Sequence, residues 1–181
     1  CSTEFATTHP VNLLLSGPAA GLIGAANIAK VSGYPRVITF DMGGTSTDVS
    51  AVDGEITLTS EGVIGPYPVG VPMVELETIG AGGGSLAWVD EGGLLHVGPQ
   101  SAGARPGPVC YFRGGTQITV TDANVLLGRL PAGIKLGGHI ELNIDATKAA
   151  FSRLSFDLGE PDLEKVALGV IDVVNENMLQ A

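Results

Sequence analysis

The sequence has 181 residues, of which 44% are hydrophobic and 15% are charged, and nine basic against nineteen acidic residues give a formal net charge of −10. This much apolar material is enough for a packed core and excludes an intrinsically disordered chain, and the length fits one domain, or one domain with an appendage. The acidic balance argues against a nucleic-acid binder and against a protein that attaches to an anionic membrane surface.

The cysteine and hydropathy patterns favour a reduced, cytoplasmic protein. Cys1 and Cys110 are too few for a secreted disulfide framework, although a single bridge between them stays open. No apolar run approaches the roughly 18 residues that a membrane helix needs. The sequence does not begin with Met, and a helical pattern is still running at its last residue, so we expect an excised piece of a longer protein.

The first third of the chain predicts a strand, a helix and an antiparallel meander. The apolar run 11–15 suits a short strand, and Ser16 can cap a helix over residues 16–30, whose small residues allow close packing on a sheet. Three strands follow over residues 36–42, 45–52 and 55–64, separated by the hairpin signals Gly43-Gly44 and Asp53-Gly54.

The middle of the chain is rich in loops, and its end is helical. We predict a strand over residues 73–79 and a hairpin over 86–97, and the irregular backbone of residues 65–117 indicates functional loops. Helices are predicted over residues 121–129, 145–154 and from 161 onwards. The last of them carries an apolar, core-facing stripe of Leu163, Val166, Ala167, Val170, Ile171, Val174 and Met178. No internal repeat and no domain linker is visible.

The segment 41–48 carries the clearest chemical pattern. It contains two acids, Asp41 and Asp48, the turn glycines Gly43 and Gly44, and the hydroxyl residues Thr45, Ser46 and Thr47. Bare N–H groups beside hydroxyls form a cradle for phosphate. Phosphate brings Mg²⁺, which prefers carboxylate and water oxygens and could be steered by acids on both arms of a hairpin. The alternative is an ordinary hairpin, which has no use for two acids and three hydroxyls.

A second glycine-rich segment occupies residues 80–85. Its glycines Gly82, Gly83 and Gly84 offer consecutive free N–H groups, which could contact a nucleotide or a substrate. The alternative is a flexible connection between a strand and a hairpin. The segment is not a Walker motif, because no Gly-Lys-Ser/Thr follows it.

Other chemistry-bearing residues are less informative. A buried structural role is favoured for Cys110 over a nucleophile that uses His96 as its base. Arg105 and Arg113 lie in glycine-rich loops, where they either clamp an anion or are simply solvated. Asp122 is expected to help start its helix. The three histidines lack metal-ligand spacing, so no transition-metal site is predicted.

The order of these motifs resembles the second phosphate-binding element of the actin-like ATPase superfamily. In this chain Pro18-Ala19-Ala20 precedes the strand that ends in Asp41-Met42-Gly43-Gly44, and Asp48 follows on the return strand. The resemblance implies an α/β fold. It would be an actin-like ATPase (ribonuclease H-like) lobe with an antiparallel β-meander, helices packed on the sheet and a loop-rich insertion.

A closer resemblance extends from about Leu15 to Asp145. The chain is similar to the hydantoinase A/5-oxoprolinase family in six segments that occur in order: SGPAAG at 16–21, TFDMGGTSTDV at 39–49, GAGGGS at 80–85, SAGA at 101–104, PGPVCY at 106–111 and TVTDAN at 119–124. The family often has acids where this chain has Gln100 and Arg105, so the identity of the substrate stays open.

The family resemblance implies ATP-dependent hydrolysis of a small cyclic amide or imide, with Mg²⁺ and with a hydantoinase B-type subunit or domain as partner. Asp41 would act through the hydration shell of Mg²⁺, and Asp48 would orient water or order the loop. Phosphate oxygens would be held by the backbone of Gly43, Gly44 and Thr45 and by the hydroxyls of Ser46 and Thr47, with Gly82, Gly83 and Gly84 near the nucleotide.

The same resemblance assigns residues 1–181 to one part of an ATPase domain, the second phosphate-binding lobe. The first phosphate loop would lie N-terminal to this chain, since no second Asp-x-Gly-x-Thr pattern is present. Two alternatives of other classes remain: a nucleotide-gated module of the chaperone or filament kind, and a sugar-kinase-like phosphotransferase.

Overall fold

The computed structural model describes residues 2–64, 66–131, 133 and 135–180. The chain folds into two compact units. Unit 1 contains the residues up to Asp41 together with Asp48–Thr78, and unit 2 contains Met42–Thr47 together with the residues from Ile79 onwards. The chain thus passes from one unit to the other at three points. Because no one segment connects the two units, the sequence shows no linker between domains.

Unit 1 is built from helices and short strands. Its helices are α1 (Thr3–Thr8) and α2 (Ser16–Val31), with a 3₁₀ turn at Pro10–Leu13 between them. Its strands are β1 (Arg36–Met42), β2 (Thr47–Asp53), β3 (Leu58–Thr59), β4 (Gly62–Ile64), β5 (Tyr67–Val69), β6 (Met73–Val74) and β7 (Glu77–Ile79), the terminal residues Met42, Thr47 and Ile79 belonging to unit 2. β1, β2 and β7 form one sheet in that order, and β3–β6 and β4–β5 form antiparallel pairs.

The core of unit 1 is small. Leu22 on α2 packs with Val52 on β2 and Val74 on β6, and alanines of the same helix cover them. The small side chains of α2 allow this close approach of helix and sheet, as the sequence predicts. Ser16, however, is the first helical residue rather than the cap, because Leu15 precedes it in a left-handed conformation with φ 56°.

Two predicted strands of unit 1 are wrong. Residues 11–13 belong to a 3₁₀ turn that begins at Pro10, and residues 14–15 form a further turn. The ring of Pro10 fixes its φ near the helical value, which favours this turn over a strand. The predicted third strand of the meander, 55–64, is split into β3 and β4, and β7 takes its place beside β2. Gly54, at φ 80°, donates its N–H to the Pro35 carbonyl just before β1 and then turns the chain away from the sheet.

Unit 2 packs three helices against a hairpin. Its elements are β8 (Ser85–Val89), β9 (Leu95–Ser101), a 3₁₀ turn (Val109–Tyr111), α3 (Val120–Leu126), β10 (Lys135–Leu136), β11 (Ile140–Glu141), α4 (Ile144–Leu158) and α5 (Leu163–Leu179). Phe151 of α4 and Val170 of α5 are completely buried in its core. The predicted stripe of α5 is confirmed, because all seven of its residues are either buried or packed against this core.

The predicted starts of the three helices of unit 2 are wrong by one or two residues. Thr119 caps α3, Asn143 caps α4 and Asp162 caps α5, each by accepting a backbone N–H of the first turn. Thr121 is not the cap because it is already the second residue of α3, and its hydroxyl donates to the Gly83 carbonyl. Among the described residues, no helix has both the length and the apolar character that crossing a bilayer requires.

Candidate functional site

The turn between β1 and β2 is a four-residue loop, Gly43 to Ser46, and not the predicted two-residue hairpin. The N–H of Gly43 donates to the Ser46 carbonyl over 2.9 Å, which closes the loop on itself. The predicted phosphate contact of the Gly43 N–H is therefore wrong. Gly43, Gly44 and Thr45 are exposed, whereas Ser46 is half-buried. The loop therefore presents its first three residues to solvent, as a phosphate cradle requires.

The second glycine-rich segment lies directly against this loop within unit 2. The N–H of Gly83 donates to the Gly43 carbonyl over 3.0 Å, and the N–H of Gly84 donates to the Gly44 carbonyl over 2.6 Å. The N–H of Gly82 donates to the Ser85 hydroxyl. The predicted free N–H groups of Gly82, Gly83 and Gly84 are thus already engaged within the chain, and this expectation is wrong.

Thr47 also differs from its prediction. Its side chain is completely buried, and its hydroxyl donates to the Ala81 carbonyl over 2.6 Å. This hydroxyl therefore faces the interior of unit 2, where it ties the start of β2 to the second glycine segment. Sequence alone does not give the direction of three consecutive hydroxyls, because that direction depends on where the strand begins.

The two acids lie in unit 1, where both line a cavity of about 720 Å³. Asp41 is exposed, and Asp48 is half-buried with its Oδ1 accepting the Thr78 hydroxyl over 2.6 Å. A Cβ on Gly21 of α2 would lie 3.5 Å from Asp41 Oδ2, so the helix passes close to this carboxylate. The predicted joint action of the two acids on Mg²⁺ stays a prediction.

The donor set around Asp41 suits a hydrated ion. The described residues contain no group of three or more His, Cys, Asp or Glu side chains arranged to hold a metal. Mg²⁺ usually keeps several waters and is bound through one or two carboxylates and the phosphates of its substrate. An exposed carboxylate two residues before the loop fits that mode of binding, and it does not fit a fully coordinated transition metal.

Cys110 is a structural thiol. It is fully buried, and burial together with the nearby Asp122 carboxylate raises the pKa of this thiol far above its ordinary range. A thiol with a raised pKa is a poor nucleophile, because the reactive species is the thiolate. His96 instead pairs with Asp90, its Nε2 lying 2.7 Å from Oδ2, and stacks on Trp88.

Asp122 does more than the predicted task of helping to start its helix. Its carboxylate, fully buried, accepts the backbone N–H groups of Val109, Cys110 and Thr119 and the Thr119 hydroxyl. With Thr119 it forms a capping box at the start of α3. The Thr-x-x-Asp spacing is visible in the sequence and could have identified this pair. Arg105 and Arg113 are both exposed.

Comparison with known proteins supplies an independent view of the chain. A family model described as hydantoinase/oxoprolinase matches residues 1–181. The chain is 45% identical to the caprolactamase subunit alpha of Pseudomonas jessenii, over 93% of this chain and 24% of that protein. It is also 45% identical to a 5-oxoprolinase of Pestalotiopsis fici, over 91% of this chain and 14% of that protein.

A solved structure agrees with the sequence matches. The crystal structure of the ATP-dependent caprolactamase from Pseudomonas jessenii superposes with a TM-score of 0.82 and 44% sequence identity, covering 94% of this chain and 25% of the solved chain. The present chain therefore spans about a quarter or less of the length of these proteins.

Proposed function

The chain belongs to the hydantoinase/oxoprolinase family, and from this premise we propose that it carries a phosphate-binding element of an ATP-dependent hydrolase of cyclic amides. Its mixed α/β fold with antiparallel sheets is consistent with the actin-like ATPase fold. The relatives named caprolactamase and 5-oxoprolinase support the substrate class, since both names denote cleavage of a ring amide.

The proposed reaction meets a definite chemical need. An unstrained amide carbonyl is a poor electrophile, so water attacks it slowly. Transfer of the γ-phosphoryl group of ATP to the carbonyl oxygen releases ADP and gives the carbon a good leaving group. Water then adds to that carbon, and the ring C–N bond breaks as the nitrogen takes up a proton, which leaves an acyl phosphate. A second water releases the phosphate and leaves the carboxylate of the opened ring. Catalysis of the phosphoryl step depends on positioning and on stabilising the charge of the phosphoryl oxygens.

The loop residues would divide this work. The backbone N–H groups of Gly44 and Thr45 would donate to phosphate oxygens, assisted by the exposed Thr45 and half-buried Ser46 hydroxyls. Asp41 would hold Mg²⁺ through its water shell, and Mg²⁺ when bound supplies charge neutralisation at the phosphates. Asp48, already fixed by the Thr78 hydroxyl, would orient a water molecule or keep the loop in place.

We further propose that the rest of the machinery lies outside these 181 residues. An actin-like ATPase needs a first phosphate loop on an opposing lobe, and this chain spans only about a quarter or less of its relatives. A relative named as an alpha subunit supports a partner subunit, for which we propose the hydantoinase B type. We expect the whole protein to work in the cytoplasm.

The observation that carries the proposal is the solvent-facing loop at Gly43, Gly44 and Thr45, which two acids flank in the sequence. It is tested in the full-length protein with its partner by measuring ADP release with and without a lactam such as caprolactam or 5-oxoproline. We expect hydrolysis that depends on the lactam. Stimulation by unfolded peptide instead would favour the chaperone-like alternative, and phosphorylation of a sugar would favour the kinase.

The variant Asp41→Asn removes the charge that would hold the Mg²⁺ water shell. We expect a loss of lactam-dependent ATP hydrolysis of at least about 100-fold, because charge stabilisation at the phosphates is lost, with no change in thermal unfolding. Asp172→Asn, an exposed acid on α5, is the matched control and should retain full activity. Near-normal turnover of Asp41→Asn would contradict the proposed role.

A further inference from the structure

We propose that Gly82, Gly83 and Gly84 of the second glycine segment, together with Thr121, are positioning residues. They set the direction in which the phosphate loop, Gly43 to Ser46, presents its N–H groups. This inference rests on the proposed function, since it concerns how the same loop grips a phosphate. It gives the segment a role other than the direct ligand contact that its composition suggests. All of the contacts involved lie within unit 2.

The orientation of the loop follows from its peptide planes. The Gly43–Gly44 and Gly44–Thr45 peptides are not among the cis bonds of the chain, and in a trans peptide the carbonyl and the following N–H point in opposite directions. The carbonyls of Gly43 and Gly44 both point at the second glycine segment, where they accept the N–H groups of Gly83 and Gly84. The N–H groups of Gly44 and Thr45 must therefore point away from it.

This orientation is what an anion site needs. Two successive N–H groups aimed at one side of a loop form a concave donor surface for phosphate oxygens. The opposite face of the same two peptides is already satisfied, so neither peptide gains by flipping its N–H inwards. A flip of either plane would break a backbone hydrogen bond of 3.0 Å or 2.6 Å and turn a carbonyl toward the phosphate.

Close backbone approach explains why Gly82 and Gly84 are glycines. A Cβ on Gly82 would lie 2.8 Å from the Gly44 carbonyl carbon and 2.9 Å from the Gly43 oxygen. A Cβ on Gly84 would lie 2.8 Å from the Gly44 oxygen. These neighbours are main-chain atoms of the phosphate loop, so they cannot move aside without displacing the loop itself.

The glycine segment is itself fixed by side chains. The Gly83 carbonyl accepts both the N–H of Thr121, over 2.8 Å, and its hydroxyl, over 2.7 Å. The Ala81 carbonyl accepts the buried Thr47 hydroxyl over 2.6 Å. Thr121 belongs to the first turn of α3, which the Thr119–Asp122 capping box holds in place. A continuous set of hydrogen bonds thus runs from the start of α3 to the phosphate loop.

The test uses the full-length protein with its partner and measures the Kd for Mg-ATP, together with kcat and the KM for the lactam. Thr121→Val removes the hydroxyl donor, and Thr121→Ser retains it. We expect Thr121→Val to weaken Mg-ATP binding about 5-fold, as one hydrogen bond would, and to lower kcat while the KM for the lactam is unchanged. Thr121→Ser should restore the wild-type values.

Gly82→Ala tests the same positioning role by displacing the backbone of the phosphate loop. We expect a loss in kcat on the order of 100-fold, comparable with removal of a charge-stabilising donor. Gly24→Ala is the matched control, because a Cβ on Gly24 in α2 meets no atom within 4 Å, and it should bind Mg-ATP like the wild type. If Gly82→Ala does not fold, the Thr121→Val and Thr121→Ser pair decides.

The outcomes separate this inference from the function on which it rests. A wild-type protein that does not bind Mg-ATP overturns both. A wild-type protein that binds Mg-ATP, with Thr121→Val and Gly82→Ala binding and turning over equally well, overturns the positioning role alone. A lower melting temperature of Thr121→Val with unchanged Mg-ATP affinity and kcat also overturns it, because the hydroxyl would then serve stability only.

Discussion

Cys110 illustrates how the surroundings of a single residue decide its chemistry. The thiol is fully buried beside the carboxylate of Asp122, and both burial and that negative charge disfavour the thiolate. The sequence places Cys110 in a loop rich in Pro and Gly, where an exposed nucleophile would also be reasonable. Burial separates the two interpretations, and the sequence-based preference for a structural thiol is confirmed. Cys1 lies outside the described residues.

The raised pKa of Cys110 makes its reactivity predictable. A raised pKa lowers the thiolate fraction at every pH below it, so alkylation by iodoacetamide should stay slow from about pH 7 to 9 in the folded protein. Peptide mapping by mass spectrometry should find the peptide of Cys110 labelled only after denaturation. Rapid labelling of the native protein, rising with pH as for a free thiol, would contradict the buried position.

The Thr119–Asp122 pair connects two elements, because it starts α3 and also holds the preceding 3₁₀ turn in place. The fully buried Asp122 carboxylate accepts N–H groups from both segments. In Asp122→Asn an amide NH₂ replaces one of these acceptor oxygens and faces a donor. Buried donors left without partners each cost about 1–3 kcal/mol, so the cap should loosen without loss of any apolar contact.

We expect Asp122→Asn to reduce the hydrogen-exchange protection of the α3 amides on the order of 100-fold, the loss of about 3 kcal/mol of local stability. Exchange is measured by mass spectrometry on the intact protein, with Asp172→Asn as control on an exposed helix face. Protection of α3 equal in both variants would show that the capping box does not hold the helix.

At the scale of elements, the sequence predicts long, patterned segments and misses short ones. The helix over α2, the strand β1, the β8–β9 hairpin and the stripe of α5 are confirmed, because each is a long segment with clear signals at its boundaries. The short strands β3 to β6 are not separated in the sequence, since two or three residues carry no period. Their pairing depends on partners distant in sequence, as with β7 beside β2.

The candidate site likewise contains features that the sequence predicts and features that it misses. The acids Asp41 and Asp48 and the exposed glycines of the loop follow from the motif. The inward direction of Thr47 and the engaged N–H groups of Gly83 and Gly84 do not, because they depend on a contact between segments about forty residues apart in sequence. Single-sequence patterns describe neighbours along the chain and contain no register for such a contact.

At the scale of these 181 residues, negative charge outweighs positive charge. The chain carries a formal charge of −10, and the segment 41–48 contains two acids and no basic residue. Free ATP is itself a polyanion, so its phosphates would be repelled by the carboxylates that flank the loop in the sequence. Binding of ATP at the proposed loop should therefore depend on Mg²⁺, which neutralises part of this repulsion.

We expect removal of Mg²⁺ with EDTA to raise the Kd for ATP in the full-length protein by at least about 10-fold. Added KCl should then lower that Kd, because salt screens a repulsion. Calorimetry at two KCl concentrations measures both effects. ATP affinity that is equal with and without Mg²⁺, or that falls as KCl is added without Mg²⁺, would contradict this account of the charges.

The joint between Gly43-Gly44 and Gly82–Gly84 is made of main-chain atoms. Every amino acid except proline carries the same N–H and carbonyl groups, so the joint depends on the glycines and on the Thr47 and Thr121 hydroxyls that fix the second glycine segment. In the proposed phosphate loop, the close approach of the two segments thus depends on the absence of side chains at these glycines. Residues that contact a substrate could then change in evolution while the backbone of the proposed loop stays the same.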